Sequence, residues 1–415
     1  MGLQPGSFRR GVMGQLDDKH VLIGVTGSIA AYKTCELVRI LRREGCEVRI
    51  VMTESAKRFI GPLTFETLSD NEVVHELFPD DRIVKTRHIS LSEWADCLLI
   101  CPATANIIGK IASGLADDFL STAVLAARSP VILAPAMDHG MSSQPIVLDN
   151  CDKLRRFGFR FVEPDTGELA SGAVGKGRLA ALPRILDAVR QALLGSRSLS
   201  GKKVMVTAGP TREYLDPVRY LSNRSSGKMG FALAAEARMR GAEVTLISGP
   251  SQCMPAEGID MHRVESARDM YEAVKSRWME QDVLVMAAAV SDFTPKEKAG
   301  QKLKKSGAGL SLNLTANADI LSWAAGGKDH RLAVGFALET EDGERNATEK
   351  LDRKKLDLIC LNRADEEDSG MDSDMNRITL IDRKHRVDAL PLMPKWEVSR
   401  KIWDKIEQLM AEGRG

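Results

Sequence analysis

The chain has 415 residues, of which 43% are hydrophobic and 28% charged, and its formal net charge is +1 at pH 7. This length exceeds one ordinary core and predicts two globular domains, and the composition excludes an intrinsically disordered chain. A near-zero charge excludes a global field that steers the protein to nucleic acid or membrane, and 5% aromatics argue against a base-stacking platform.

Residues 1–18 lack the apolar core of a signal peptide and read as a flexible leader, with Met13 a second candidate start. Val21 to Val25 is an apolar run of the kind found in buried parallel strands. Helical spacing follows from Ile29 to Arg43, and Glu47 to Met52 closes a βαβ unit. Leu98 to Cys101 and Val131 to Leu133 are further strands. Helices are predicted over Ala116 to Ala127, Ile146 to Phe157 and Leu182 to Leu194. This alternation predicts a doubly wound, flavodoxin- or Rossmann-like α/β domain over residues 19–193.

The small polar segment 194–201 reads as a linker. A second doubly wound, Rossmann-like α/β domain is then predicted over 202–410. Its strands are Val204 to Val206, Val244 to Ile247, Val283 to Ala287, Leu332 to Phe336 and Leu358 to Leu361. Its helices include Lys228 to Arg240 and the amphipathic Trp396 to Met410. The seven cysteines are odd in number, irregularly spaced and without a CxxC pair, which points to reduced thiols in a cytoplasmic protein and not to a zinc site. No stretch reaches membrane-spanning length.

In such sheets ligands gather at the C-terminal ends of the strands. Gly27 and Ser28 follow the first strand where a helix begins, and free N–H groups there suit a phosphate. The spacing is neither GxGxxG nor a Walker A loop. Thr53 follows the next strand, and Thr104, Ala105 and Asn106 follow the third. Small hydroxyl and amide residues at three strand ends suit one phosphorylated planar ligand. Farther on, Thr207 to Gly230 joins a strand end to a helix start through some twenty residues, and long loops are usually functional. Glycines 209, 227 and 230, with Arg212, Arg219 and Lys228, suit an anionic ligand.

The motifs Gly27-Ser-Ile-Ala-Ala-Tyr-Lys33, Arg87-His88-Ile89, Pro102-Ala-Thr-Ala-Asn106 and Pro135-Ala-Met137 resemble the flavin-dependent cysteine decarboxylases. Followed by the Thr207–Gly230 motif, they resemble the bifunctional family that joins phosphopantothenoylcysteine decarboxylase to phosphopantothenate–cysteine ligase, over residues 19 to 410. The resemblance implies FMN held at Gly27, Ser28, Thr53, Thr104, Ala105, Asn106 and Ser121, with His88 as base. Two positions depart from the family pattern. Asp138 stands where the family has asparagine, and an ionised carboxylate accepts hydrogen bonds but does not donate them. Ser171 stands where a cysteine protonates the enethiol, and a hydroxyl is a far weaker acid than a thiol.

For the second domain the resemblance implies CTP, with Mg2+ on its phosphates. Met286, Ala287, Ala288, Asp292, Ala318, Asp319, Ile320, Leu321, Phe336, Lys350 and Lys354 match CTP-contacting positions. Lys302, in a lysine-rich loop, matches the catalytic lysine, and Asn223 matches the asparagine that handles the acyl intermediate. Lys350 and Lys354, four apart, are expected on one helix face as a cation pair for the triphosphate. No carboxylate cluster marks metal ligands. The implied reaction ligates cysteine to 4′-phosphopantothenate and then decarboxylates the product. The implied partners are these small molecules and copies of the same chain, the flavin domain forming trimers and the ligase dimers. The changes at Asp138 and Ser171 support an alternative: a ligase fused to a flavin-binding domain of impaired decarboxylase activity with a binding or assembly role. A nicotinamide oxidoreductase is a third reading, against which the missing GxGxxG counts.

Overall fold

The computed structural model describes residues 14–77, 87–169, 172–304, 310–339, 342–363 and 373–413. The chain divides into two compact units, residues 1–195 and 196–415.

The N-terminal unit begins with β1 (His20–Val25), α1 (Ala31–Arg43), β2 (Glu47–Met52), α2 (Pro62–Ser69) and α3 (Arg87–Trp94). It continues with β3 (Cys97–Ala103), α4 (Ala105–Ala112), α5 (Phe119–Ala126), β4 (Val131–Pro135), α6 (His139–Ser142), α7 (Pro145–Arg156) and β5 (Arg160–Phe161). The five strands are parallel in the order β2-β1-β3-β4-β5, the flavodoxin-like winding, with its switch point between β1 and β3. Every residue of β3 is buried, because helices cover both faces. One core cluster contains Leu37, Leu41, Ile185 and Val189, and the other contains Ile107, Ile111, Phe119 and Leu154.

A hairpin that the sequence reading did not include follows β5. β6 (Asp165–Glu168) pairs antiparallel with β7 (Val174–Arg178) before α8 (Leu182–Leu193). The glycines of β7 carry no side-chain pattern, so alternation could not mark it as a strand.

The C-terminal unit opens with β8 (Lys203–Ala208), then the short ribbon β9 (Arg212–Tyr214) and β10 (Tyr220–Ser222). Next come α9 (Lys228–Met239), β11 (Glu243–Ser248), β12 (Asp260–Arg263), α10 (Ala267–Lys275) and β13 (Val283–Met286). A second ribbon pairs β14 (Phe293–Pro295) with β15 (Leu314–Ala316). α11 (Ile320–Gly326), β16 (Leu332–Glu339), α12 (Gly343–Arg353) and β17 (Leu358–Arg363) follow. The unit ends with β18 (Met375–Asn376), β19 (Ile378–Asp382), β20 (Val387–Ala389), β21 (Met393–Pro394) and α13 (Lys395–Glu412).

Its main sheet runs β12-β11-β8-β13-β16-β17-β19-β20. The first six strands are parallel and repeat the Rossmann winding, and the last two are antiparallel. α9 and α13 contribute to the core on one face, where Trp403 is fully buried and donates its indole N–H to the Leu233 carbonyl at 2.9 Å. The core on the other face includes Met270, Leu321 and Leu351 from α10, α11 and α12. Each switch point leaves strand ends uncovered, and both sites lie there.

Candidate functional site

In the N-terminal unit a cavity of about 780 Å³ opens at the ends of β1, β2 and β3. Gly27, Ser28, Thr53, Thr104, Ala105 and Asn106 all line it. Thr26 ties the switch point together: its hydroxyl donates to the Pro102 carbonyl at 2.7 Å and accepts the Thr104 N–H at 3.2 Å. Thr104 occupies the N-cap of α4 without making a side-chain capping bond. These walls fit a phosphorylated planar ligand, with an uncommitted capping hydroxyl and a helix start for the anion and a volume within the range of small-molecule sites.

The sequence reading missed Lys110 and Asp118 in this lining. The Lys110 ammonium lies 2.8 Å from both Asp117 and Asp118. Burial works against an ionised Asp118, but Lys110 and the Ser121 N–H and hydroxyl outweigh it and hold the carboxyl below its ordinary value. A capping-box pattern before the apolar α5 was the available signal.

Ser121, His88 and Asp138 lie outside the lining. Ser121 is fully buried and completes that capping box, donating its hydroxyl to the Asp118 carbonyl at 3.1 Å. Its polar atoms are turned to the helix start and not to the cavity. His88, on α3, packs edge-on against Phe119 with ring centroids 6.3 Å apart. Asp138 follows the lining residue Met137 and caps the short α6, accepting the Gly140 N–H at 2.8 Å. The hairpin rests on this segment: the Met137 N–H donates to the Gly177 carbonyl at 3.0 Å. Only glycine fits at 177, since a Cβ there would stand 2.2 Å from the Met137 carbonyl oxygen. Ser171 lies outside the described residues.

In the C-terminal unit a cavity of about 860 Å³ lies beyond the ends of β13 and β16. Asn223 lines it, as do Met286, Ala287, Ala288, Asp292, Ala318, Asp319, Ile320, Leu321, Phe336, Lys350 and Lys354. Gly227, in left-handed backbone, caps α9, which lies so close to β8 that a Cβ at Gly230 would meet the Ala208 Cβ at 2.6 Å. The Thr207 hydroxyl accepts the Ala288 N–H at 3.2 Å, and the Thr211 hydroxyl accepts the Ser291 N–H at 3.0 Å. The Asn223 amide donates to the Val290 carbonyl at 3.0 Å, which fixes its direction.

Two expectations change. Lys350, on α12, and Lys354, at its C-terminal cap, both line the cavity but have different partners. Lys354 is engaged by Asp319 at 2.7 Å, and Asp319 also caps α11. Lys350 donates to the Phe336 carbonyl at 3.4 Å, and burial, together with the charge of Lys354, pulls its ammonium below its ordinary value. Lys302 is exposed and lies outside the lining. Its neighbour Leu303 is pinned instead: the Leu303 N–H donates to the buried Asp216 at 3.1 Å, and Arg219 donates to the Leu303 carbonyl.

Asn362, Asn376 and Lys395 also line the cavity, and the sequence reading missed all three. They come from elements far along the chain, and no spacing announces them. The Asn362 side-chain oxygen is buried without a hydrogen-bond partner among the described residues, an acceptor that a ligand N–H or O–H would satisfy. Among the described residues, no group of three His, Cys, Asp or Glu side chains is placed to hold a metal ion. No described helix is long and apolar enough to cross a membrane.

Residues 11–194 match the Flavoprotein family, and residues 199–410 match the DNA/pantothenate metabolism flavoprotein C-terminal domain. The coenzyme A biosynthesis bifunctional protein CoaBC of Bacillus subtilis (strain 168) is 43% identical over 397 residues, covering 95% of this chain and 98% of the relative. The protein of that name from Escherichia coli (strain K12) is 42% identical over 395 residues, covering 94% and 97%. A crystal structure of the C-terminal domain of a coenzyme A biosynthesis bifunctional protein is 39% identical, with a TM-score of 0.46. It matches over 52% of this chain and 100% of that one.

Proposed function

The chain belongs to the coenzyme A biosynthesis bifunctional family, and from that membership we propose how its two cavities divide the work. It is a bifunctional enzyme, a ligase and a decarboxylase of coenzyme A biosynthesis. The C-terminal cavity activates 4′-phosphopantothenate with CTP and joins it to cysteine. The N-terminal cavity, in residues 19–193, then decarboxylates the product. The observation that carries the reading is the gathering of every expected nucleotide-site residue except Lys302 around one cavity with Asn223.

In the ligase a carboxylate oxygen of phosphopantothenate attacks the α-phosphorus of CTP, and the bond to pyrophosphate breaks. The cysteine amine then attacks the acyl carbon of the acyl-cytidylate, loses a proton and displaces CMP. Asn223, held by the Val290 carbonyl, presents its remaining amide groups to the acyl centre. Lys302, exposed beside the anchored Leu303, neutralises developing phosphate charge. Mg2+ carried in with the nucleotide would supply neutralisation of phosphate charge in this cavity.

In the decarboxylase, Gly27, Ser28, Thr53, Thr104, Ala105 and Asn106 hold FMN. FMN held there would supply a two-electron acceptor for the thiol-bearing carbon and return both electrons after CO2 is lost, so the reaction needs no outside oxidant. His88 serves as base. It lies outside the cavity of its own chain, and Ile29, Tyr32 and Leu63 are exposed apolar side chains of the same unit. Both facts support an assembly in which a second copy supplies His88, as a trimer of flavin units joined through ligase dimers would. The seven free thiols accord with a cytoplasmic location.

One observation favours a slower decarboxylase. Asp138 accepts the Gly140 N–H at 2.8 Å, and a carboxylate at this position offers a substrate carboxylate no amide donor. The test supplies the purified chain with CTP, Mg2+, 4′-phosphopantothenate and cysteine and follows products by mass. Phosphopantothenoylcysteine followed by loss of CO2 is expected. Ligation without CO2 loss would sink the decarboxylase, and no ligation would sink the whole reading.

A further inference from the structure

Lys228 and Lys395 also line the C-terminal cavity. Each is the first residue of its helix, Lys228 of α9 and Lys395 of α13. A cation in the first turn opposes the helix dipole, so both positions carry an electrostatic cost that an anion between them would offset. Lys395 is also buried, at 7% exposure, which is rare for a lysine.

A short segment before β18 currently answers these charges. The Lys395 ammonium donates to the Ser373 carbonyl, and its backbone N–H donates to the Asp374 carbonyl at 2.9 Å. The Lys228 ammonium pairs with the Asp374 carboxylate at 2.7 Å. Lys228 first, then the charge of Lys395, hold that carboxyl below its ordinary value, so it is an anion at neutral pH. Its side chain is 87% exposed, and an exposed ion pair is weak. A multiply charged ligand can therefore displace it.

We infer that Lys228 and Lys395 form the seat for the terminal phosphates of the activating nucleotide, and that Asp374 occupies this seat until the phosphates displace it. The inference rests on the ligase reading above. The seat reads phosphate charge and not the base, so it separates the triphosphate from the monophosphate product. When pyrophosphate leaves, Asp374 returns and opposes its rebinding.

The test titrates the full-length chain with magnesium pyrophosphate and, separately, with CMP. Asp374→Asn keeps the shape and removes the competing charge, and it should tighten pyrophosphate by roughly three- to tenfold with CMP unchanged. Lys395→Met should weaken pyrophosphate at least ~10-fold and CMP less than about twofold. Pyrophosphate binding that is unchanged or weaker in Asp374→Asn would overturn the inference, as would equal loss of both ligands in a folded Lys395→Met. If Lys395→Met does not fold, Asp374→Asn decides alone, since its exposed side chain leaves folding intact. The two readings fail separately. Ligation with CTP but no effect of Asp374→Asn removes the seat and keeps the ligase. Pyrophosphate binding that follows the predicted pattern without ligation keeps the seat and removes the ligase.

Discussion

Both cavities lie where a parallel sheet reverses its winding, yet they differ in how many of the expected site residues line them. Around the C-terminal cavity, the end of β13, the end of β16, the start of α11 and the end of α12 bring the expected nucleotide residues together with Asn223. Around the N-terminal cavity, the ends of β1, β2 and β3 hold only the expected cofactor loops, and His88 and Asp138 stand outside. The difference follows from where the side chains originate. Residues just past a buried strand are delivered to the switch point by the sheet itself. A side chain on a helix such as α3 reaches a reacting centre only if that helix faces it, and in this chain α3 packs His88 against Phe119.

The sharpest way to break this comparison is to mix two damaged chains. His88→Asn removes the base, and Ser28→Trp puts an indole into the cofactor cavity. Each alone should lose essentially all CO2 release from supplied phosphopantothenoylcysteine. Co-expression should restore a measurable fraction, because one chain's His88 then serves the other's cavity. No recovery would place His88 in the site of its own chain. Next in size is the combined change Ser171→Cys and Asp138→Asn. It restores a thiol acid and an amide donor, and decarboxylation should rise on the order of tenfold or more in single-turnover assays. Within the C-terminal cavity, Lys350→Met should raise the KM for CTP several-fold. Lys354→Met should act mainly through Asp319, by loosening the start of α11.

The smallest effect concerns stability and tests whether the C-terminal unit depends on buried charge away from its cavity. Asp382 is fully buried in that unit. Burial opposes its ionisation, but Lys405 at 2.8 Å, two backbone N–H groups and Arg386 outweigh it and hold the carboxyl well below the aspartate range. A depressed folded value means the stabilisation is present above the unfolded aspartate value and fades as pH falls through the folded one. Asp382→Asn should cost about 2 kcal/mol at neutral pH, at the low side for a buried pair because Arg386 is partly exposed. In urea melts the difference from the unaltered chain should shrink under strong acid.

The sequence made the strands legible where burial on both faces leaves an unbroken apolar run, as in β1, β3, β8 and β13. It left β5, β9 and β10 unseen because two or three residues carry no period. The hairpin β6–β7 was hidden by Gly175 and Gly177, whose missing side chains allow the close approach to Met137 and His139. Among the site residues, those following strands were readable from small side chains and helix starts. Lys395 and Asn362 were not, because direction into a cavity is a property of the packed sheet and leaves no local pattern. Lys354 was legible as a cation but not as a partner of Asp319, thirty-odd residues away in sequence.

The division of labour between the two cavities is tested most directly by Asn223→Ala in the full-length chain, with products followed by mass from two starting points. Given phosphopantothenoylcysteine, the variant should release CO2 at the rate of the unaltered chain. Given 4′-phosphopantothenate, cysteine, CTP and Mg2+, it should form ligated product at least ~100-fold more slowly. Ligation at the unaltered rate, or loss of both activities in a folded variant, would contradict the account.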